Sequence, residues 1–219
     1  LPETWSGSIT SKAAADVQEA LEGYAALSVG CGLSQDPETQ LFVHELLLEN
    51  PALDNMPIVL DADALNLIAA NARLMGQLAR RKSASILTPH PAEAARLLGV
   101  TTPQVQTDRI AAALKLAQRC QALVVLKGNG SVLAEPGGKW WINASGNPGM
   151  ASAGMGDALA GMLVGLLAQG MAPLAALQLG VWAHGAAGDA LVAAGDGPLG
   201  LTASNIIAQA RRALNQPAP

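Results

Sequence analysis

With 219 residues, half of them hydrophobic and 14% charged, the chain carries enough apolar side chain for one substantial core and nothing that demands a second domain. A net charge of -4 and only 3% aromatic residues offer neither a basic surface for a polyanion nor stacking platforms for bases, so nucleic acid is not an expected partner. The apolar stretch Ala158 to Ala168 is too short for a bilayer span, and the opening LPETWSGSIT has no basic or apolar signal region, so a soluble cytoplasmic domain without a membrane partner is expected.

The chain does not open on Met, which reads as a processed, trimmed or partial sequence. Ser11 to Leu21, rich in alanine with Val17 and Leu21 four apart, predicts a helix that Gly23 stops. Ala25 to Val29 predicts a strand. The loop after it, Gly30-Cys31-Gly32-Leu33, is either an ordinary turn or a ligand loop at the carboxyl end of a parallel strand, where open α/β sheets bind. Cys31 and Cys120 stand in no metal-ligand spacing and are expected as buried thiols of a reducing compartment. Asp36-Pro37-Glu38 supplies a cap, a first-turn proline and an early acid for a helix through Leu48. Pro57 to Leu60 is the next buried strand, running into Asp61 and Asp63. Asp63 is expected to cap a helix from Ala64 to Ala70, and Asp61 to hold a basic group or a metal-bound water.

Ser85-Ile86-Leu87 predicts the third strand. In the following Thr88 to Glu93, TPHPAE, Pro91 fits the first helical position and puts Glu93 at the third. There Glu93 is a capping-box acid or a group reaching a cation through water. Prolines on both sides of His90 fix its direction, which favours a ligand-binding role over a structural one. Thr107 to Cys120 predicts one amphipathic helix. Leu123 to Leu126, Ser131 to Ala134 and Lys139 to Ile142 then alternate with turns at Asn129-Gly130 and Pro136-Gly137-Gly138, predicting an antiparallel edge on a parallel sheet. The tip Lys127-Gly128-Asn129-Gly130-Ser131 is a plain hairpin tip or a backbone contact for a nucleotide. Of Trp140 and Trp141, alternating on the edge strand, one is expected inward and one over a surface.

Asn143 to Gly161, NASGNPGMASAGMGDALAG, ends a Gly-rich turn in an apolar helix expected to begin near Asp157. Glycines at 154 and 156 let the N–H groups of Gly154, Met155 and Gly156 converge on an anion, and the helix terminus adds its dipole. A carboxylate beside bound phosphate is repelled unless it has work to do, and taking the proton of a hydroxyl that attacks phosphorus is such work for Asp157. The structural alternative is close helix packing with Asp157 as a first-turn cap. Asp157 to Ala168 and Leu174 to Ala194 predict two helices, with His184 in the second expected to be structural. Thr202 or Ser204 caps a last helix to about Leu214, and residues 215–219 are expected to be a flexible tail.

Four segments, VLDADALN (Val59 to Asn66), ILTPHPAEAARLLG (Ile86 to Gly99), VVLKGNGS (Val124 to Ser131) and GNPGMASAGMGDALAG (Gly146 to Gly161), together resemble the ADP-dependent NAD(P)H-hydrate dehydratases of the ribokinase-like superfamily. The resemblance runs from about Ala25 to Leu214. The GxGD element is shared with many ribokinase-like kinases, whereas TPHP-x-E with GN-x-GMA is particular to this branch. The resemblance implies a single-domain, three-layer α/β/α sandwich whose mostly parallel sheet has an antiparallel hairpin edge. It implies a lyase that repairs hydrated NADH or NADPH with ADP, or alternatively ATP, and Mg2+. The ring hydroxyl is phosphorylated, and loss of phosphate restores the double bond, leaving AMP and phosphate. Asp157 is implied as the base and as a hydrate contact, with Gly32 and His90 also on the hydrate. Lys127, Gly128, Asn129, Gly130, Ser131 and Gly156 are implied on the nucleotide, and Glu93 on magnesium through water. Further implications are a homo-oligomer and linkage to, or pairing with, an NAD(P)H-hydrate epimerase.

The chain departs from the family pattern in three places: Gly30-Cys31-Gly32-Leu33-Ser34 replaces GPGLG, Ala92 stands in TPHPGE, and Ala153 in GGMGD. A methyl at Ala153 crowds the anion site if that residue needs positive φ, a cost of roughly 1 kcal/mol. Family members open with a further Gly-rich strand and helix that complete the sheet and the hydrate pocket. Nothing before Ser11 resembles them, so an N-terminally incomplete domain or an altered substrate side is expected. A ribokinase-like small-molecule kinase and a nucleotide-binding module without turnover are the rival readings.

Overall fold

A computed structural model describes residues 1–48 and 50–215. The end of the expected tail, 216–219, lies outside the described residues, while Asn215 caps the last helix. Six strands form one sheet in chain order: β1 (Leu27–Val29), β2 (Ile58–Leu60), β3 (Ser85–Leu87), β4 (Leu123–Leu126), β5 (Ser131–Ala134) and β6 (Trp140–Asn143). β1 to β4 run parallel, and β5 and β6 turn back antiparallel, with Leu126 opposite Val132 and Leu133 opposite Trp141. β2 and β3 are buried along their whole length, as parallel strands covered on both faces must be.

The twofold alternation of strands divides the core. Ile58, Leu60, Leu87, Val124, Leu126 and Val132 face one helical layer, whereas Val59, Ile86, Val125 and Leu133 face the other. The first layer holds α1 (Ala13–Ala20), α2 (Pro37–Leu48), α3 (Ala62–Ala70), α4 (Ala72–Leu78), α5 (Pro91–Leu98), α6 (Thr102–Thr107) and α7 (Arg109–Cys120). The second holds α8 (Met155–Ala168) and α9 (Pro173–Ala193). α10 (Ala203–Leu214) packs on α9 around Met155, Ala187, Leu191 and Ile206. Trp141 packs on the α8–α9 side, and Trp140 is 44% exposed. Among the described residues no helix is long and apolar enough to cross a membrane.

Several expectations need correction. α3 is capped by Asp61, whose side chain accepts from Ala62 N–H, and not by Asp63. Asp63 is free to hold the β1–α2 loop, accepting from Ser34 N–H at 2.9 Å and Gln35 Nε2 at 3.4 Å. The helix expected over 107–120 starts at Arg109, because Thr107 ends the preceding α6, Asp108 leaves helical geometry and its Oδ1 accepts from Ala111 N–H to start α7. α8 begins two residues before Asp157. Cys120 is buried but Cys31 is exposed, because its loop lies beyond the end of β1. Ala153 does not have positive φ; the left-handed residue is Gly154, at φ 81°. The strain falls instead on Ser34, at φ 73°, another position where the family pattern has glycine. There the cost of about 1 kcal/mol is set against the Asp63 hydrogen bond.

Candidate active site

The loops that follow β1, β2, β3 and β4 all leave the carboxyl edge of the parallel strands, and α8 starts against them. At their centre Asp61 Oδ1 accepts from Lys127 Nζ at 2.7 Å and from Ala62 N–H at 2.9 Å. One carboxylate thus caps α3 and pairs a lysine from the end of β4. The neighbouring backbones leave no space for side chains. A methyl at Gly30 would collide with the Asp61 carbonyl, and one at Gly156 would stand 3.2 Å from both Asp61 Oδ2 and Lys127 Nζ. The first turn of α8 therefore lies directly on the ion pair.

That turn is open to an anion. Gly154 N-caps α8 without a side-chain hydrogen bond, and the first intrahelical bond runs from Ala158 N–H to Gly154 C=O at 2.9 Å. The N–H groups of Met155, Gly156 and Asp157 come before it and have no intrahelical acceptor. Asp157 is exposed in this turn. Its carboxylate, that of Asp61 and the Cys31 sulfur offer donor atoms within 4.8 Å of one another. The Cys31 thiol is pushed up to about 12, first by desolvation, then by a hydrogen bond to Asp157 and by the charges of Asp157 and Asp61, with Lys127 opposing. It stays protonated at neutral pH and donates toward Asp157.

The segment after β3 is tied in next. Lys127 N–H donates to Pro89 C=O at 2.9 Å. Pro91 opens α5, and His90 and Glu93 form a reciprocal box in which Nδ1 of His90 accepts from Ala92 and Glu93 N–H while Glu93 Oε2 accepts from His90 N–H at 2.8 Å. His90 Nε2 lies 3.3 Å from Glu93 Oε1. Glu93 is buried. Desolvation raises its pKa, opposed by the His90 N–H and by the charges of Lys127 and His90.

Beside this lies a cleft of about 370 Å³ lined by residues 127–131, 143–148, 150 and 151, Met155 and Gly156, with Leu159, Val181 and His184 also in its wall. The GN-x-GM segment is held on α9: Gly146 N–H and Asn147 Nδ2 donate to the Asp189 carboxylate at 2.8 and 3.1 Å, and Ser145 Oγ donates to Trp182 C=O at 3.1 Å. Gly185 and Gly188 must be bare, since methyls there would overlap Ser145 and Met150.

Of the residues singled out from sequence, Lys127, Gly128, Asn129, Gly130, Ser131, Met155 and Gly156 line this cleft. Gly154 caps the helix behind it. Gly32, His90, Glu93 and Asp157 are not in the lining. Asp157 sits beside Cys31 and Asp61, and Asp61 pairs with Lys127, which lines the cleft. His184 was expected to be structural, yet it lines the cleft. Its Nε2 is buried without a partner, and burial pushes its pKa down to about 4, so it is neutral. Nothing in the local sequence around His184 marks it, because its role depends on where α9 lies against α8.

A profile of the NAD(P)H-hydrate dehydratase family matches residues 2–211. The ADP-dependent (S)-NAD(P)H-hydrate dehydratase of Neisseria meningitidis is 45% identical over 183 residues, covering 84% of this chain and 60% of that protein. A bifunctional NAD(P)H-hydrate repair enzyme of Moorella thermoacetica is 46% identical over 189 residues, 86% of this chain and 34% of its own length. The chain thus spans about a third of the bifunctional relative and three fifths of the other. Among solved structures, the ADP/ATP-dependent NAD(P)H-hydrate dehydratase of Bacillus subtilis, crystallised with ATP and Mg2+, superposes with a TM-score of 0.73 at 32% identity, over 87% of this chain and 64% of that one.

Proposed function

The chain belongs to the NAD(P)H-hydrate dehydratase family, and from that premise we propose that it converts hydrated NADH or NADPH to the reduced cofactor at the expense of ADP. ATP is the alternative phosphoryl donor. The observation that carries this reading is the position of Asp157, exposed and one residue beyond the cleft-lining Gly156 in an uncapped helix turn, with its carboxylate beside Asp61 and Cys31.

ADP lies in the cleft on residues 127–131, its terminal phosphate at the free N–H groups of Met155 and Gly156 and near Lys127. The hydrate binds at Gly32 and His90, its ring hydroxyl toward Asp157. The Asp157 carboxylate takes the proton of the ring hydroxyl as its oxygen attacks the terminal phosphorus, and the bond to AMP breaks. The new phosphate then departs with its carbon–oxygen bonding pair while the adjacent ring carbon loses a proton, which closes the double bond. Cys31, protonated beside Asp157, helps orient the base. Asp61 and Asp157 offer hard carboxylate oxygens that suit magnesium, within 4.8 Å of one another and of the Cys31 sulfur. Glu93, fixed in its capping box, would meet the ion through water, and the ion would neutralise charge on the phosphates. The same reading includes a cytoplasmic location, a partner epimerase activity in line with the bifunctional relative's name, and self-association through the exposed Trp140 edge of the sheet.

The test is recovery of reduced-nicotinamide absorbance from hydrated NADH, with ADP or ATP and Mg2+ present and then each withheld. Recovery only with nucleotide supports the proposal. Accumulation of a phosphorylated product without recovery would point to kinase chemistry, and ADP binding without either would point to a binding module.

A further inference from the structure

We propose that Arg109, at the start of α7, is a positioning residue for the nucleotide. It shapes the 127–131 loop, so the inference rests on the nucleotide role proposed above for that loop. Nη2 of Arg109 donates to the backbone carbonyls of Leu126 at 3.1 Å, Lys127 at 3.4 Å and Gly130 at 3.3 Å, while Nη1 donates to Gln106 Oε1 at 3.0 Å. Three carbonyls of one short loop therefore turn toward one guanidinium. In a trans peptide the N–H points opposite to the C=O, so collecting carbonyls on the α7 side turns the partner N–H groups away from Arg109, that of Lys127 to Pro89 C=O and that of Gly128 to Ser131 Oγ, which fixes the shape of the loop.

The fit is tight. Gly128 has φ 147°, and a methyl there would lie 2.8 Å from Nη1 and 3.0 Å from Nη2. Gly128 is bare because the loop wraps around the cation. Gly128 N–H reaches Ser131 Oγ at 3.3 Å, and Ser131 Oγ donates back to Gly128 C=O at 3.0 Å, which closes the tip over it. Among the described residues no carboxylate pairs with Arg109. Its acceptors are all neutral, so its charge stands uncompensated directly behind the loop and favours an anion in the cleft on the loop's other side. A planar five-donor group suits this task in a way an ammonium does not.

The experiment compares wild type with Arg109→Gln and Arg109→Lys for ADP affinity by calorimetry, KM for ADP and for the hydrate, kcat and thermal midpoint. Loss of a charged donor holding the loop is expected to weaken ADP about tenfold or more and to raise KM for ADP in proportion. KM for the hydrate is expected to stay within about twofold, with the lysine variant intermediate. A folded Arg109→Gln protein that binds ADP as tightly as wild type overturns the inference, as does a parallel rise in both KM values, which marks a merely structural role. If the glutamine variant does not fold, the lysine variant decides by the same two readings. Wild type that fails to bind ADP would instead count against the proposed function.

Discussion

Replacing Asp61 by Asn removes one charge and keeps the side-chain oxygen that caps α3, so the change isolates the ion pair. The contact is 2.7 Å long, with the Asp61 side chain 2% and the Lys127 side chain 22% exposed. At an effective dielectric of about 20 such a pair is worth roughly 6 kcal/mol before desolvation, and breaking buried pairs costs about 3–5 kcal/mol. Because Lys127 keeps some contact with water, a destabilisation of about 3 kcal/mol is expected, or a fall of roughly 6–12 °C in thermal midpoint for a chain of this size. Asp61→Ala also loses the cap and should cost about 1 kcal/mol more. Urea unfolding reads both, with an unchanged slope showing that only stability has moved. Adding Lys127→Met to Asp61→Asn should recover part of the loss, since no buried charge is then left alone. An Asp61→Asn protein within 1 kcal/mol of wild type, or strictly additive single losses, would show that the pair does not organise the site.

Burial of His184 gives a pH effect of definite sign. Its pKa falls from 6.5 to about 4 in the folded protein, so between those values the unfolded chain binds the extra proton. Stability is fully present above pH 6.5 and is lost by up to about 3 kcal/mol as pH falls toward 4. His184→Gln should flatten the thermal midpoint between pH 7 and 4.5, and an identical slope in both proteins would refute the assignment. Cys31, though exposed, should alkylate at pH 7.5 at least ~10-fold more slowly than a free thiol, and faster in Asp157→Asn, because its thiolate is disfavoured; Cys31→Ser supplies the background from Cys120. Two alanine substitutions on one helix should differ. Gly185→Ala meets the Ser145 backbone and should cost about 1–3 kcal/mol and weaken ADP. Gly180→Ala meets only side chains, Leu163 at 2.7 Å and Leu166 at 3.5 Å, and should cost less and leave ADP affinity unchanged. Equal effects on ADP would argue against the docking of the 145–150 segment as a cleft wall.

Much of the fold was legible because its signals are local. β3, β4 and β5 fall on the expected residues, each a short apolar run closed by turn-forming residues or by the start of the TPHP segment. Pro91 and Glu93 marked the start of α5 by chemistry confined to four residues. What failed was what depends on distant neighbours. Asp61 and Asp63 are equal candidates for a cap by spacing, and the choice is made by Lys127, 66 residues away, and by the loop at Ser34 that claims Asp63. Ile110, Leu114 and Ala117 locate α7 but not its first residue, which the Asp108 cap fixes. Of the three positions where glycine is replaced, only backbone geometry shows that Ser34, and not Ala92 or Ala153, has positive φ. The motifs announced the uncapped helix start at Gly154 to Asp157, but not that His184 walls the cleft or that Arg109 reaches the carbonyls of Leu126, Lys127 and Gly130, since both arrive from other helices.

The central claim is that Asp157 is the base at an anion-binding helix start, and turnover of Asp157→Asn with saturating ADP tests it most directly. Recovery of reduced nicotinamide from hydrated NADH should fall ~10²-fold or more while ADP still binds with nearly wild-type affinity. Turnover close to wild type in a protein that binds ADP would remove Asp157 from the chemistry and contradict the account.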